Sequence, residues 1–300
     1  MKRLILAGLL ICCVLAAGPA LAEPMQVFVT IVPQKYFVDK IGGDLVEVSV
    51  MVPPGASPHH YEPRPKQMVA LSKARIYFGI GVEFEQVWLK RLASTNDKMK
   101  IVHTEAGIRK IPMQAHDHDK AGDRKKGTDH DAGHDSDHGT LDPHVWTSPV
   151  RVQVIARNIR DGLVGADPAH KAEYDQRYYR FMKELEALDA ELRQTFQGRQ
   201  GLRFMVFHPA WGYLAHDYGL EQVPVEIEGK EPKPSQLQAL IERARAEGIR
   251  VVFVQPQISS KSAATIAKAI GGEVVPADPL AADWGRNLME QAARFKAALK

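Results

Sequence analysis

The chain has 300 residues, 45% hydrophobic and 25% charged, with 39 Lys+Arg against 36 Asp+Glu. That length suits two domains with cores of their own, and the composition excludes a disordered, fibrous or disulfide-knotted protein. A formal charge of +3 from dispersed residues gives no reason to expect nucleic acid as a partner. Twelve histidines beside two cysteines point to metal chemistry through imidazole and oxygen without thiolate.

The first elements form an address label. Met1-Lys2-Arg3 is a basic start, residues 4–17 are largely apolar, Gly18 and Pro19 break the run, and Ala20-Leu21-Ala22 precedes Glu23. This pattern predicts a signal peptide over residues 1–22 with cleavage after Ala22. A membrane anchor would need a longer apolar run, and a lipid anchor would need small residues before Cys12 or Cys13, where Ile11 and Cys12 stand. Both cysteines leave with the peptide, so the mature chain must rely on packing or ligand binding without a disulfide.

Beyond it, β-rich runs alternate with helical patterns. Candidate strands fall at 27–32, 46–52, 75–79 and 100–103, then at 203–207, 222–227, 250–254 and 273–275. The alternation predicts an α/β protein of two similar lobes, each with a four-stranded, mainly parallel sheet. From 114 to 140 the pattern collapses. His116, His118, His130, His134 and His138 sit there among aspartates, basic residues and glycines, with alanine as the sole apolar type. No core can form from such a segment. It reads as a mobile loop with weak metal affinity, or as a solvated loop without a role.

A helix is predicted over 168–197. Asp167 suits its N-cap and Pro168 its first turn, while Tyr174, Tyr178, Phe181, Leu185, Leu188, Leu192 and Phe196 make one apolar stripe. At 1.5 Å per residue the rod is ~45 Å long, a spine joining the lobes. The alternative, a coiled-coil dimer helix, would need a longer stripe; a monomer is expected. The domains are then an N-terminal lobe over 23–166, the spine over 167–197 and a C-terminal lobe over 198–300. An internal echo supports duplication around a cleft: Glu62-Pro63-Arg64-Pro65-Lys66-Gln67 aligns with Glu231-Pro232-Lys233-Pro234-Ser235-Gln236. Coincidence of prolines near helix starts is the other reading.

Four segments at the ends of predicted elements carry metal-competent groups: Pro58-His59-His60-Tyr61-Glu62-Pro63, Asp142-Pro143-His144-Val145-Trp146, Phe207-His208-Pro209-Ala210-Trp211 and Ala277-Asp278-Pro279-Leu280. In parallel sheets, ligands bind beyond the carboxyl ends of strands, and the prolines stiffen each segment. Three imidazoles and a carboxylate, two groups from each lobe, would make a four-coordinate zinc cage. Spacing alone leaves hydrogen-bonded core histidines as an equal alternative.

These motifs, with F-H-x-A-x-G-Y-L at 207–214 and the E-P-x-P helix starts, resemble the zinc-binding proteins of ABC-type metal uptake systems, receptors with a long interdomain helix. The resemblance covers essentially the whole chain after residue 22. It implies His59, His144, His208 and Asp278 as ligands in the cleft between the lobes, Zn2+ as transported ligand, a membrane permease as partner, the periplasm as location, and no catalysis. Manganese-type relatives carry Glu at the position of His208, and an acidic histidine-rich insert also marks the zinc branch. Many relatives have a disulfide in the second lobe, which this chain cannot form; that bears on stability, not on metal choice. A manganese or iron(II) receptor, a receptor for a metal chelate, and a secreted zinc-dependent hydrolase are the alternatives. The H-E-x-x-H helix of one hydrolase class is absent.

His60 neighbours the proposed ligand but alternates away from it, and an accessory ligand is only its minor reading. Glu228 matches His59 in the repeat alignment and could touch the metal or hold a ligand, or be an exposed loop carboxylate. His103, His170 and His216 read as structural or solvated, and Trp146, Trp211 and Trp284 as shielding or core. If the insert gathers metal, deleting residues 114–140 lowers the number of zinc ions bound per chain while the tight site survives. Its imidazoles should lose capture below about pH 6; equilibrium dialysis at two pH values measures both.

Overall fold

The computed structural model describes residues 23–114, 141–227, 230–258 and 261–299. The predicted signal peptide, the five histidines of the insert and Glu228 lie outside the described residues. Among these, no helix is long and apolar enough to cross a membrane.

Two four-stranded sheets form, with all pairings parallel. The first holds β1 (Met25–Val29), β2 (Val46–Val50), β3 (Ile76–Gly79) and β4 (Lys100–His103) in the order β2-β1-β3-β4. The second repeats that order as β6-β5-β7-β8, with β5 (Arg203–Val206), β6 (Glu221–Pro224), β7 (Val251–Val254) and β8 (Glu273–Pro276). Every predicted strand is present. A parallel sheet is covered on both faces, so its central strands are apolar throughout: Ile76, Tyr77 and Phe78 are fully buried. Some strands stop earlier than their apolar runs. Met51 and Val52 still donate to Val29 and Thr30 carbonyls at 2.9 Å, but the chain is already turning.

The echoed segments open equivalent helices, α2 (Pro65–Leu71) and α7 (Pro234–Ala246). In each, a glutamine reaches back so that its Oε1 accepts the N–H before the proline: Gln67 from Arg64 at 2.9 Å, Gln236 from Lys233 at 2.8 Å. Equal caps and equal strand orders support duplication over coincidence.

The spine differs from its prediction in its first turn. Pro168–His170 is a 3-10 turn, and the α-helix, α5, runs from Lys171 to Thr195. Asp167 caps no backbone group; its Oδ2 instead lies 2.7 Å from His170 Nδ1 and accepts the Tyr174 hydroxyl at 2.9 Å. Side-chain partners compete with capping when they are this close. Nor is the spine a lone rod, since it packs along α4 (Pro149–Ala166), whose Val152, Ile155, Ala156, Ile159 and Leu163 are buried at helical spacing.

Along its length α5 touches both sheets' surroundings. Near its start, Arg177 donates to Gly42 O and to Asp44, and Glu184 accepts from Lys40 at 2.6 Å; α1 (Val32–Gly42) follows β1. Further on, Tyr218 of α6 (Gly212–Tyr218), which follows β5, donates to Asp189 at 2.9 Å. Phe181 stacks on Phe37 of α1 with centroids 6.1 Å apart, and Trp284 of α9 (Trp284–Ala298) meets Phe37 edge-on at 5.0 Å. The halves are also stitched by indoles: Trp146 donates to Pro279 O, and Trp284 to Trp146 O, both at 2.8 Å.

Truncating Phe181 to alanine empties the junction of α1, α5 and α9 and should cost about 3–5 kcal/mol. Tyr179→Ala, on the exposed side of the same helix, should stay within about 0.5 kcal/mol. Urea unfolding of the metal-free protein compares them.

Candidate metal centre

Each histidine of the centre stands where a strand or turn releases the chain. Phe207 N–H still donates to Phe253 O at 2.7 Å, so His208 is the first residue past the β5 ladder, and Pro209 then restricts its backbone. In Asp142-Pro143-His144 the aspartate folds the segment on itself: its Oδ1 accepts the His144 backbone N–H at 2.8 Å, an Asx turn. His59 lies in the loop after β2, its N–H held by Ser57 Oγ at 3.3 Å.

Among the described residues, His59, His144 and His208 form the one group of three or more histidine, cysteine or acidic side chains whose candidate ligand atoms lie within 4.8 Å of one another. Ring centroids are 4.8 Å apart for His59 and His208, 5.1 Å for His144 and His208, and 6.3 Å for His59 and His144. His144 and His208 are buried, and His59 is half-buried.

Every one of these rings has a carboxylate at Nδ1. Asp142 Oδ1 lies 2.8 Å from His144 Nδ1, Glu226 Oε2 2.6 Å from His208 Nδ1, and Glu83 Oε2 3.1 Å from His59 Nδ1. A carboxylate accepts only, so neutral His144 and His208 keep their proton on Nδ1 and present a lone pair on Nε2, while Glu83 lies beside His59 without a hydrogen bond to it. The Nε2 atoms of His144 and His208 face each other at 3.3 Å. Two lone pairs at that distance repel unless a cation lies between them. Two nitrogens on one tetrahedral zinc, at Zn–N ~2.0–2.1 Å, are about 3.3 Å apart.

Electrostatics agree with this. Burial, with the neighbouring His144 and His59 rings, lowers the His208 pKa despite the opposing pull of Glu226, so the ring stays neutral and ready to coordinate. Contact with His59 holds the Glu83 carboxyl down at about 2 against burial.

The other candidates separate from this group. Asp278 is half-buried and stands outside it; its Oδ1 accepts Gln257 Nε2 at 2.8 Å and the Leu280 N–H at 2.9 Å. His60 is exposed, its ring 6.3 Å from that of His59. His103, His170 and His216 sit beside Glu105, Asp167 and Asp217 respectively, away from the centre. Trp146 is buried with its ring 5.2 Å from His144, whereas Trp211 and Trp284 pack on Phe295 and Phe37 in the core.

Sequence reasoning missed the supporting acids. The carboxylate that holds His208 is Glu226, just beyond β6. The signal was the sheet order: β6 neighbours β5, so the residues after each emerge side by side. Glu83 opens α3 (Glu83–Ala93), and nothing in its spacing ties it to His59.

Duplicated α/β lobes, a spine helix and three carboxylate-backed imidazoles at the junction define a two-lobed metal-binding protein. Residues 27–295 match the family described as zinc-uptake complex component A, periplasmic, and the chain belongs to that family. It is 29% identical over 255 residues to the high-affinity zinc uptake system protein ZnuA of Bacillus subtilis, covering 84% of this chain and 77% of that one. To the zinc-binding lipoprotein AdcA of Streptococcus pneumoniae it is 28% identical over 258 residues, covering 85% of this chain. The chain spans about half the length of the AdcA proteins it matches, 50% in that case. A crystal structure of ZnuA has a TM-score of 0.82 with 40% identity, covering 92% of this chain and 99% of the other; a zinc-bound ZnuA deletion mutant gives the same score and identity over 93% and 99%.

Glu226→Gln should weaken zinc binding by about 10–100-fold, the usual loss of a carboxylate behind a ligating histidine, as read by chelator competition. Acid acts on the metal-free fold through the same groups. The unfolded chain takes a proton on His208 near its ordinary 6.5, while the folded state resists until its lowered pKa. Stability therefore falls as pH drops below 6.5 and levels off under the folded pKa. The Glu83 contribution, present above its ordinary 4.5, is lost toward about 2. Melting temperatures from pH 7 to 5 should decline in the wild type and flatten in His208→Gln.

Proposed function

We propose that this chain captures zinc ion in the periplasm and delivers it to the membrane permease of an ABC-type zinc importer. His59, His144 and His208 bind the ion, and Asp278 completes the shell when the lobes, 23–166 and 198–300, close on the spine over 167–197. The observation that carries this reading is the convergence of three imidazoles, two of them hydrogen-bonded at Nδ1 by carboxylates and the third with the Glu83 carboxylate 3.1 Å away. A nitrogen-rich, four-coordinate set suits zinc, whereas manganese takes oxygen-rich octahedral sites. The signal peptide supplies the route to the periplasm, and the chain acts as a monomer.

Ligand count does not by itself separate a receptor from a hydrolase, because three histidines and an open place also describe a catalytic zinc. Family membership favours the receptor. Titrating metal-free protein with zinc and manganese in competition tests the proposal. Zinc should bind more tightly; His59→Ala, His144→Ala and His208→Ala should each lose more than the roughly 10–100-fold expected for a supporting carboxylate. Tighter manganese binding, or indifference to all three substitutions, would overturn it.

A further inference from the structure

Asp278 differs from the imidazoles in how its neighbours hold it. β7 and β8 are adjacent and parallel, with Val254 opposite Pro276, so the segments following them leave the sheet side by side. Gln257 comes from the first and Asp278 from the second. The backbone around Asp278 is fixed on two sides: Asn287 Nδ2 donates to its carbonyl at 2.8 Å, and Trp146 Nε1 to the next carbonyl, that of Pro279, at 2.8 Å. Trp146 packs against His144, which places the aspartate's segment next to the centre.

Both hydrogen bonds to the carboxylate fall on one oxygen. Gln257 Nε2 and the Leu280 N–H donate to Oδ1 at 2.8 and 2.9 Å, which occupies both of its lone pairs. The amide of Gln257 is oriented by this bond, since only its NH2 can face a carboxylate. In adopting it, Gln257 leaves its own Oε1 buried without a partner among the described residues, a cost that ordinary packing avoids.

We propose that Gln257 sets the metal preference of this site by occupying Oδ1 of Asp278, so that the carboxylate offers the ion one oxygen, Oδ2, and not two. One oxygen closes a four-coordinate zinc shell. Manganese, which favours six oxygen-rich positions, is denied the second oxygen of a bidentate carboxylate. This inference rests on the reading above in which Asp278 completes the shell, and it assigns Gln257 a positioning role without direct contact to the ion.

The test uses the full chain with Gln257→Met, which keeps side-chain volume and removes the donor, and Gln257→Ala as a second variant. Thermal melting checks that each folds. Zinc and manganese affinities are measured in competition, and Co2+ loading gives a visible spectrum whose intensity falls as coordination rises above four. The zinc-to-manganese affinity ratio should narrow about tenfold, the scale of one charge-assisted hydrogen bond, chiefly through tighter manganese, with a weaker Co2+ band. In an Asp278→Ala background Gln257→Met should change nothing. An unchanged ratio and Co2+ band in both variants, or the same change without Asp278, overturns the inference. If Asp278→Ala alone leaves zinc affinity intact, the proposed shell fails and this inference with it; if that variant weakens zinc while both Gln257 variants match the wild type, only the role of Gln257 is rejected.

Discussion

The contact on which the centre depends is the carboxylate at each histidine Nδ1. Asp142 and Glu226 fix the tautomers of His144 and His208, and the tautomer decides which nitrogen faces inward; Glu83 places a negative charge beside His59. Without them the rings could turn, and His144 and His208 would share a proton between Nε2 atoms and not offer two lone pairs. The carboxylates also set the charge. Neutral imidazoles bring no charge of their own, so the acids behind them are what balance a divalent ion entering a buried place.

Support for those acids comes from the sheets. His208 and Glu226 lie just beyond β5 and β6, neighbours in one sheet. Parallel strands send all their carboxyl ends in one direction, so one lobe can present several loops to a single point. The lobes themselves are held at Phe37, Phe181 and Trp284 and by the two indole bonds through Trp146. Because Trp146 is two residues from His144 and bonds to the residue after Asp278, the framework of the junction is continuous with the centre.

Much of this was legible in the sequence because its causes are local. Strand positions follow from apolar runs, the spine from a stripe of Tyr174, Phe181, Leu185 and Leu192, and the paired helix starts from a repeated Glu-Pro-x-Pro segment. The family motifs singled out the three histidines that converge. Less legible were features set by competition between partners, such as Asp167 bonding His170 and Tyr174 in place of the helix backbone. Strand ends were also blurred, since residues such as Met51 remain apolar and hydrogen-bonded while the chain turns.

Sequence by itself determined the parts: two α/β halves, a spine, and histidines beside prolines at strand ends, all written in periodicity and in residues close along the chain. Only the tertiary structure decided which residues distant along the chain support the site. Glu226 is near His208 because β6 lies beside β5, Glu83 is near His59 because α3 starts where the loop after β2 arrives, and Gln257 is near Asp278 because β7 pairs with β8. Each is a contact across the sheet or between its loops, and no spacing along the chain encodes it.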